Sequence, residues 1–594
     1  MKMTRKILKG GEYLVAGVDC EEVFTPEDFS DEQRAIAETT EQFVQNDILP
    51  HIEAIEHQQF EHVVAGMRKC GELGLLMIDA PEEYGGLDLD KVTSSLVVEK
   101  IAPSGAFSVA YSAHTGIGTL PLVYYGTEEQ KQKYLGRIIS GEWIAAYCLT
   151  EPESGSDALG ARSTARLSED GEYYILNGTK QFITNGGFAN LFTVFAKIDK
   201  EHFTAFLVER DFEGLVVGAE EKKLGIKGSS TTQIILDNCK VPVENLLGEI
   251  GKGHKIAFNV LNVGRFKLGA AVVGAAKMAM VEGIKYGNIR KQFGKPISSF
   301  GAMQEKMADM TAEIFAAESL VYRLAGLIDD NLAGIPKGIA NYYEEVQKGI
   351  EEYAPECAIS KVYCSDVLAN VVDEVVQIHG GYGFVSEYPA ERFYRDERIN
   401  RIFEGTNEIN RLLIPGMILR KSMKGELPLQ REAMKAFESL MTPSFEDIDD
   451  SVPFAREKAL VQNLKTVFLI LSGAAVQKFM QKLQDEQEIL LAAADLAIQI
   501  YALESAVLRC EKHFPRASDQ KKALFQAVAK VCAFEAAEKF ATAARRGAFY
   551  VEEGDTLQMI LSGIRRFTKF DATGLLQARR ALAAAAIDNE KYLF

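Results

Sequence analysis

Positive charge is sparse in this sequence. Its 594 residues include 84 aspartates and glutamates against 66 lysines and arginines, which gives a net charge of -18. A nucleic-acid partner requires a basic face, so this balance argues against one. An anionic ligand would have to be held by local basic residues.

Cysteine and histidine are also scarce, with eight residues of each. No two cysteines are spaced as C-x-x-C, and the histidines form no H-E-x-x-H or similar ligand pattern. We therefore expect reduced thiols, no structural zinc and no metal site.

Long apolar runs are missing as well. No stretch reaches about 18 consecutive apolar residues, so we expect no membrane-spanning segment. Lys2, Arg5 and Lys6 are followed by acidic residues rather than by the apolar core of a signal peptide, which favours a cytosolic location. The apolar stretch 466–476 is short, and a buried helix is favoured there over a peripheral membrane contact.

Glycine-rich nucleotide motifs are absent. Gly116-Ile-Gly118 runs into Pro121 instead of opening a G-x-G-x-x-G turn after a strand, so a Rossmann site is not supported. The glycines between 248 and 253 lack the Lys-Ser/Thr ending of a phosphate-binding Walker loop. Any nucleotide cofactor must be held in another way.

What is present predicts several domains in a mainly α protein. Helical periodicity dominates both ends of the chain, and four short β-prone runs lie between them, beginning at Tyr173, Leu191, Phe203 and Gln233. We expect an N-terminal helical domain, a small antiparallel, barrel-like β domain, a helical bundle and an extra C-terminal helical domain, over residues 30–146, 147–250, 251–420 and 421–594.

The chemically suggestive stretch surrounds Glu404. Ile399, Ile402 and Phe403 recur at helical spacing, and Thr406 can cap the helix that follows. A carboxylate at a break between helices, beside a glycine that admits a ligand, suits a general base. From spacing alone, a solvated glutamate at a helix junction is the favoured interpretation.

A resemblance to a known family favours the general base over the solvated glutamate. The segment Arg398-Ile-x-x-Ile-Phe-Glu404-Gly-Thr-Asn-Glu-Ile resembles the catalytic-base signature of the acyl-CoA dehydrogenases. The resemblance covers roughly residues 30–420. It implies that Glu404 removes the α-proton of an acyl-CoA while FAD takes the β-hydride, giving a trans-2-enoyl-CoA.

Two segments resemble the flavin-binding signatures of the family. In the first, from Tyr147 to Asp157, the resemblance implies flavin contacts from Tyr147, Leu149, Thr150 and Ser156, and Ser156 would also reach toward the substrate. In the second, Phe182, Ile183 and Thr184 would lie against the flavin ring, with Phe182 in the usual place of a tryptophan. The alternatives are an ordinary Ser/Gly turn for the first segment and core packing for Phe182.

Further segments resemble those that reach the flavin of a neighbouring subunit. The residues implied are Arg290, Gln292, Phe300, Gln377, Gly380 and Gly381, and Thr406 and Glu408 complete the cofactor set. Arg290 would pair with the pyrophosphate, for which a planar guanidinium is suited. If these segments serve a partner's flavin, the protein needs at least a dimer, and the extension favours a homodimer.

Substrate contacts are also implied by the resemblance. Some relatives carry the base at the position of Gly264, so Glu404 is the candidate here. Arg265 is assigned either to the substrate site or to a structural ion pair, at even odds. Small residues on one helix face would form the floor of a long acyl pocket, although they also suit close helix packing. The substrate set is Ser108, Ser112, Ser156, Asn262, Arg265 and Gly405.

The function expected is that of a long-chain enzyme of fatty-acid β-oxidation that passes electrons to an electron-transferring flavoprotein. Very-long-chain members of the family carry a helical extension like the one after residue 420. Two alternatives remain open: an acyl-CoA oxidase, and a family member acting mainly as an assembly or binding protein.

Overall fold

In the computed structural model, which describes residues 7–441 and 448–594, the N-terminal part is helical. Ser30 caps the first helix, since its side chain accepts a hydrogen bond from the backbone of Gln33. Pro50 lies in a 3₁₀ turn after the π turn Val44–Ile48, in which the first helix continues past Phe43. The helices are α1 (Asp31–Phe43), α2 (Ile52–Glu56), α3 (Phe60–Glu72), α4 (Lys91–Ile101), α5 (Ala106–Ala113), α6 (Leu120–Tyr125) and α7 (Glu128–Ile139). Lys2, Arg5 and Lys6, used above for location, lie outside the described residues.

The β domain follows directly. Its strands are β1 (Ala145–Cys148), β2 (Thr164–Leu167), β3 (Tyr173–Thr184), β4 (Leu191–Ile198), β5 (His202–Glu209), β6 (Leu215–Glu220), β7 (Thr231–Pro242) and β8 (Leu246–Leu247). The sheet order is β6-β7-β3-β2-β4-β5-β8, with β1 also paired to β4.

Most of these strands pair antiparallel, but β1 and β2 pair parallel with β4, so the sheet is mixed rather than purely antiparallel. The sequence patterns identified β3, β4, β5 and β7 and missed the other four. β1 is only four residues long and buried throughout, so it shows no alternation by which periodicity finds a strand.

The helices of the bundle follow the β domain, and the first of them is 37 residues long. They are α8 (Gly253–Ile289), α9 (Gly301–Leu332), α10 (Tyr342–Glu351), α11 (Ala354–His379), α12 (Pro389–Glu397) and α13 (Asn407–Met423), and a short hairpin of β9 (Lys291–Gln292) and β10 (Lys295–Pro296) joins α8 to α9. α8 and α11 pack along one another, and glycine allows the close approach. A Cβ on Gly269 would lie 2.1 Å from the hydroxyl of Ser360.

The C-terminal helices pack on this bundle and share its apolar core. They are α14 (Leu429–Met441), α15 (Ala455–Phe479), α16 (Gln487–His513), α17 (Asp519–Val551), α18 (Gly554–Phe567) and α19 (Leu575–Asn589). Two buried ion pairs join α16 to α9: Arg509 to Glu318 at 2.6 Å and Arg323 to Glu504 at 2.9 Å. The extension is therefore built into the core, as the buried-helix interpretation of 466–476 expected.

Three helical stretches are nevertheless long and apolar enough to cross a membrane, by length and composition alone: Gly253–Ile289, Ala455–Asp485 and Gln487–Arg516. The criterion of about 18 consecutive apolar residues did not detect these stretches, because a few polar or charged residues within a long helix interrupt the run without lowering its mean hydropathy enough. Inside the fold, 67%, 61% and 78% of their apolar windows are buried against other parts of the protein.

The thiols agree with the expectation of a reduced protein. All eight cysteines are free, and seven of them are buried. Across the ranges that the structure describes, no three His, Cys, Asp or Glu side chains gather into a possible metal site.

Candidate active site

The turn that carries Glu404 has an unusual backbone. Glu404 has φ 57° and Gly405 has φ 83°, two consecutive left-handed residues between α12 and α13. For a glutamate this conformation costs about 1–2 kcal/mol, so the surroundings must hold it. The Glu404 carbonyl accepts from Arg265 Nε at 3.3 Å, and the Gly405 carbonyl accepts from Asn410 Nδ2 at 2.7 Å. Thr406 caps α13, as predicted, by accepting from the backbone of Ile409.

The carboxyl group of Glu404 faces inward. The residue as a whole keeps some exposure, but its Oε2 atom is shielded from solvent and has no hydrogen-bond partner within the described part of the chain. Burial raises the pKa of Glu404 to about 7, partly offset by the positive charges of Arg265 and Lys361. A carboxyl group with a pKa near neutrality is suited to take up a proton during a reaction.

Gly264 of α8 lies directly against this carboxyl group. A Cβ added at Gly264 would lie 2.6 Å from Glu404 Oε2. Position 264, where the resemblance implies that some relatives carry the base, therefore adjoins the candidate base, and glycine leaves the space that the Glu404 carboxyl group occupies.

Arg265 and Asn262 form the wall beside the turn. Arg265 is 7% exposed, and its Nη1 donates to Asn262 Oδ1 at 3.1 Å. Within residues 7–441 and 448–594 it makes no ion pair at 4 Å or less; its contacts are an amide and the Glu404 carbonyl. The geometry therefore speaks against the ion-pair alternative and leaves Arg265 at the site.

The two predicted flavin segments are joined to one another. The Thr150 carbonyl accepts from the backbone N–H of Gln181 at 2.9 Å. Tyr147 is buried on β1, and its hydroxyl donates to the Ala257 carbonyl of α8, at 3.4 Å. Leu149 is buried, Thr150 is half-buried and Ser156 is exposed. The fold thus places the first segment between the β sheet and the helix that carries Gly264.

A buried ion pair that sequence reasoning missed holds the two segments in place. Lys180 Nζ lies 2.6 Å from Glu151 Oε1, with both side chains almost fully buried. Glu151 also accepts from the backbone of Arg162 at 2.5 Å and Ser163 at 3.1 Å. The sequence did contain a signal for this ion pair, because it places opposite charges in two segments that were expected to lie close together.

Phe182 is the clearest feature of the second segment. It lies at a bulge in β3, with φ 59°, and the residue is 62% exposed, whereas Ile183 beside it is 2% exposed. Core packing, the alternative for Phe182, is thus excluded. A strained backbone that presents an aromatic face fits a flat ring system such as a flavin. Thr184 is half-buried next to it.

The residues expected at a neighbouring subunit's flavin lie on an exposed face of the bundle. The Arg290 guanidinium lies 5.3 Å from the centre of the Tyr382 ring, which connects the end of α8 with the turn after α11. Phe293 is 92% exposed and Phe384 is 86% exposed. Gln292, Gln377, Gly380 and Gly381 are exposed, and Phe300 is half-buried. In the described residues no hydrogen bond or ion pair joins this group to the flavin segments of the same chain. Two large exposed aromatic rings beside an arginine suit an interface.

The residues of the predicted acyl pocket lie on α5. Ser108 and Ser112 are both half-buried, and the Ser108 hydroxyl donates to the Gly105 carbonyl at 2.7 Å. Tyr111 and His114 point away from these serines, since Tyr111 donates to the Leu75 carbonyl and His114 is held by Ile138 and Ala145. Glu408, in the first turn of α13, is exposed.

Comparison with protein families supports one assignment for the whole chain. Residues 30–142 match the acyl-CoA dehydrogenase N-terminal domain, 146–239 the middle domain and 251–418 the C-terminal domain. Residues 463–566 match a second family model described as an acyl-CoA dehydrogenase C-terminal domain.

Individual relatives agree with these matches. A probable acyl-CoA dehydrogenase of Bacillus subtilis is 49% identical over 100% of this chain and 99% of its own length. A very long-chain specific acyl-CoA dehydrogenase of Rattus norvegicus is 42% identical over 60% of this chain, which spans about half (52%) of that relative.

Among solved structures, an acyl-CoA dehydrogenase of Bacillus anthracis complexed with FAD aligns with a TM-score of 0.96 at 50% identity, over 99% of this chain and 100% of that one. Butyryl-CoA dehydrogenase of Megasphaera elsdenii aligns with a TM-score of 0.60 at 35% identity, over 66% of this chain and 99% of that one.

Proposed function

The chain belongs to the acyl-CoA dehydrogenase family, and from that premise we propose that it converts long-chain acyl-CoA to trans-2-enoyl-CoA with Glu404 as the base. Membership of this family makes the protein a FAD-dependent oxidoreductase. The observation that carries the assignment of the base is the Glu404 carboxyl, which is shielded from solvent, has a pKa raised to about 7 and lies against Gly264.

The residues of this chain fit the cofactor. FAD, when bound, supplies the hydride acceptor for the β-carbon. The exposed ring of Phe182, with Thr150 and Thr184 beside it, would hold the flavin ring. Arg290 would pair with the pyrophosphate of a flavin in a neighbouring subunit, which makes a homodimer part of the proposal.

The chain's own residues also suit the proton step. Glu404 would remove the α-proton in a site from which the acyl chain excludes water. Within the described ranges the backbone N–H of Glu404 donates to no protein atom, so it is available to the thioester carbonyl. A hydrogen bond there stabilises the negative charge that develops on the carbonyl oxygen as the proton leaves.

A long acyl chain is supported by two observations. The relatives include enzymes named as very long-chain specific. The α5 face offers serines rather than bulky groups, and each additional buried CH₂ contributes about 0.8 kcal/mol. We expect a preference for chains of about fourteen carbons or longer on this reasoning.

For the electron acceptor we propose an electron-transferring flavoprotein, and for location the cytosol, which the eight free thiols support. An acyl-CoA oxidase would instead consume oxygen rapidly. A protein acting mainly in assembly or binding would bind FAD and acyl-CoA but would convert very little acyl-CoA to product.

One experiment separates these outcomes. The purified protein, with its FAD content measured, is mixed without oxygen with short-, medium- and long-chain acyl-CoAs, and the loss of oxidised-flavin absorbance is followed. Turnover is then compared with an electron-transferring flavoprotein and with oxygen as acceptor. Glu404→Gln keeps the shape of the side chain and serves as the control, for which flavin reduction should slow by about 10²–10⁴-fold.

The proposal fails if wild-type flavin is not reduced by any acyl-CoA, or if Glu404→Gln reduces it at the wild-type rate. Fast peroxide formation in air selects the oxidase. Best turnover of short chains would contradict the long-chain preference alone.

A further inference from the structure

Lys361 of α11 is an unusual residue in this fold. Its side chain is fully buried, at 0% exposure. The other buried lysines each have a carboxylate within 4 Å, namely Lys91, Lys131, Lys180, Lys267, Lys465 and Lys512. Within the two described ranges Lys361 has none. A buried charge without a paired partner is costly, so its presence calls for a reason other than stability.

In the described part of the chain, the hydrogen-bond acceptor of Lys361 lies close to Glu404 in sequence. Lys361 Nζ donates to Asn407 Oδ1 at 2.6 Å, and Asn407 is the first residue of α13, three positions after Glu404. The Asn407 amide in turn donates to Ser365 Oγ and to Asp366 Oδ1, both at 3.0 Å. These hydrogen bonds attach α11 to the start of α13, just after the left-handed turn.

The charges around Lys361 also connect this residue with Glu404. Burial lowers the pKa of Lys361 to about 7, and the carboxylate that most strongly opposes this shift is Glu404. The pKa of Glu404 is likewise held down by Arg265 and Lys361 against the effect of burial. The other charged or titratable groups facing this pair come from every neighbouring element: Arg265 on α8, Asp366 on α11, Glu408 and Arg411 on α13, and Tyr147 on β1.

We propose that Lys361 is a positioning residue for the reaction: through Asn407 it holds the turn that carries Glu404, and it supplies positive charge behind the buried carboxylate. This inference rests on the proposed function of Glu404 as the base. Among the described residues no carboxylate lies within 4 Å of Lys361, so its ammonium charge, present at and below about neutral pH, acts on Glu404 instead of being neutralised locally.

The sign of the expected effect follows from the charges. Glu404 acts as a base only when ionised, so flavin reduction is lost as the pH falls through its pKa. Removing the positive charge of Lys361 raises that pKa, and the acid limb of the pH profile moves to higher pH. An opposite charge within a few ångströms shifts a carboxyl pKa by about 1 unit or more. A shift of about 1 unit lowers the rate about tenfold on the acid side and leaves the alkaline plateau unchanged.

The test compares three variants of the FAD-loaded full chain. Lys361→Gln keeps a donor for Asn407 but removes the charge, Lys361→Arg keeps the charge, and Lys361→Met removes both. The rate of flavin reduction by a saturating acyl-CoA is measured across pH without oxygen. Lys465→Gln, which removes a buried lysine paired with Glu504 in the extension, is the matched control for lost stability.

A second readout does not depend on turnover. The C=O stretch of the protonated Glu404 carboxyl is titrated by infrared difference spectroscopy against the Glu404→Gln protein, in wild type and in each Lys361 variant. If wild-type flavin is not reduced at any pH, the proposed function fails, while this titration still decides the role of Lys361.

We expect two midpoints to move to higher pH in Lys361→Gln and Lys361→Met: that of the pH profile of flavin reduction and that of the infrared titration of Glu404. In Lys361→Arg and Lys465→Gln both midpoints should stay close to wild type. Equal midpoints in wild type and Lys361→Gln overturn the proposal, and so does an equal shift in Lys361→Arg. If Lys361→Met does not fold, the comparison of the glutamine and arginine variants still decides.

Discussion

Gly264→Ala isolates the effect of moving the base by a small distance. The added Cβ would lie 2.6 Å from Glu404 Oε2 and 3.0 Å from Cδ, whereas ordinary contacts begin at 3.4 Å. The carboxyl group therefore has to retreat by about 0.8 Å, which it can do because it ends a flexible side chain. A misplacement of about 1 Å costs up to about 10²-fold in rate.

The stability of the same variant should change in the opposite direction. Gly264 lies inside α8, where alanine is favoured over glycine by up to about 1 kcal/mol. We therefore expect Gly264→Ala to keep its FAD, to melt at the wild-type temperature or above it, and to reduce flavin about 10²-fold more slowly. Rapid mixing with acyl-CoA in the absence of oxygen measures the rate, and thermal unfolding measures the stability.

Gly416→Ala is the matched control. Gly416 lies inside α13, where an added Cβ meets no atom within 4 Å, so this change alters only helix propensity. Flavin reduction at the wild-type rate by Gly264→Ala, with unchanged FAD content, would refute the placement of the base against α8. A similar loss of rate in Gly416→Ala would show that the slowing has another origin.

Three further outcomes are expected. Arg290→Ala should lose most of its FAD, measured by absorbance after gel filtration, because its guanidinium is exposed beside Tyr382 and free to meet a pyrophosphate. Ser112→Phe should shift the preferred acyl chain toward shorter substrates at constant FAD content, since the ring would fill the α5 face. Arg509→Met should lower the free energy of unfolding by about 3 kcal/mol, because Glu27 and the buried Glu318 both lose a charged partner, while Lys277 still pairs with Glu318.

Controls make these outcomes decisive. Arg516→Ala removes an exposed arginine and should change neither FAD content nor melting temperature. Ser112→Ala adds no bulk and should keep the wild-type chain-length profile. Normal FAD content in Arg290→Ala, an unchanged profile in Ser112→Phe, or a wild-type melting temperature in Arg509→Met would each contradict its prediction.

Local sequence patterns were sufficient for the order of the domains. Long segments rich in apolar residues mark α8, α9 and α11, which are buried on more than one face, and Ser30 and Thr406 are residue types that cap helices well. Glu404 was found by its neighbours in the sequence, since a catalytic-base signature is a contiguous run of residues. The strands β1 and β2 escaped because they are too short to show a period.

The tertiary structure alone decided which groups meet Glu404. Gly264 and Lys361 are distant from it in sequence, and no local pattern states that a glycine of α8 lies against its carboxyl group or that a lysine of α11 binds Asn407, three residues further along the chain. The left-handed backbone of Glu404 could not be predicted from the sequence either, because a residue with a side chain adopts this conformation only when contacts from elsewhere in the fold offset the strain. Sequence singled out Glu404 as the candidate base, and the packing of α8, α11 and α13 determined the position and the surroundings of its carboxyl group.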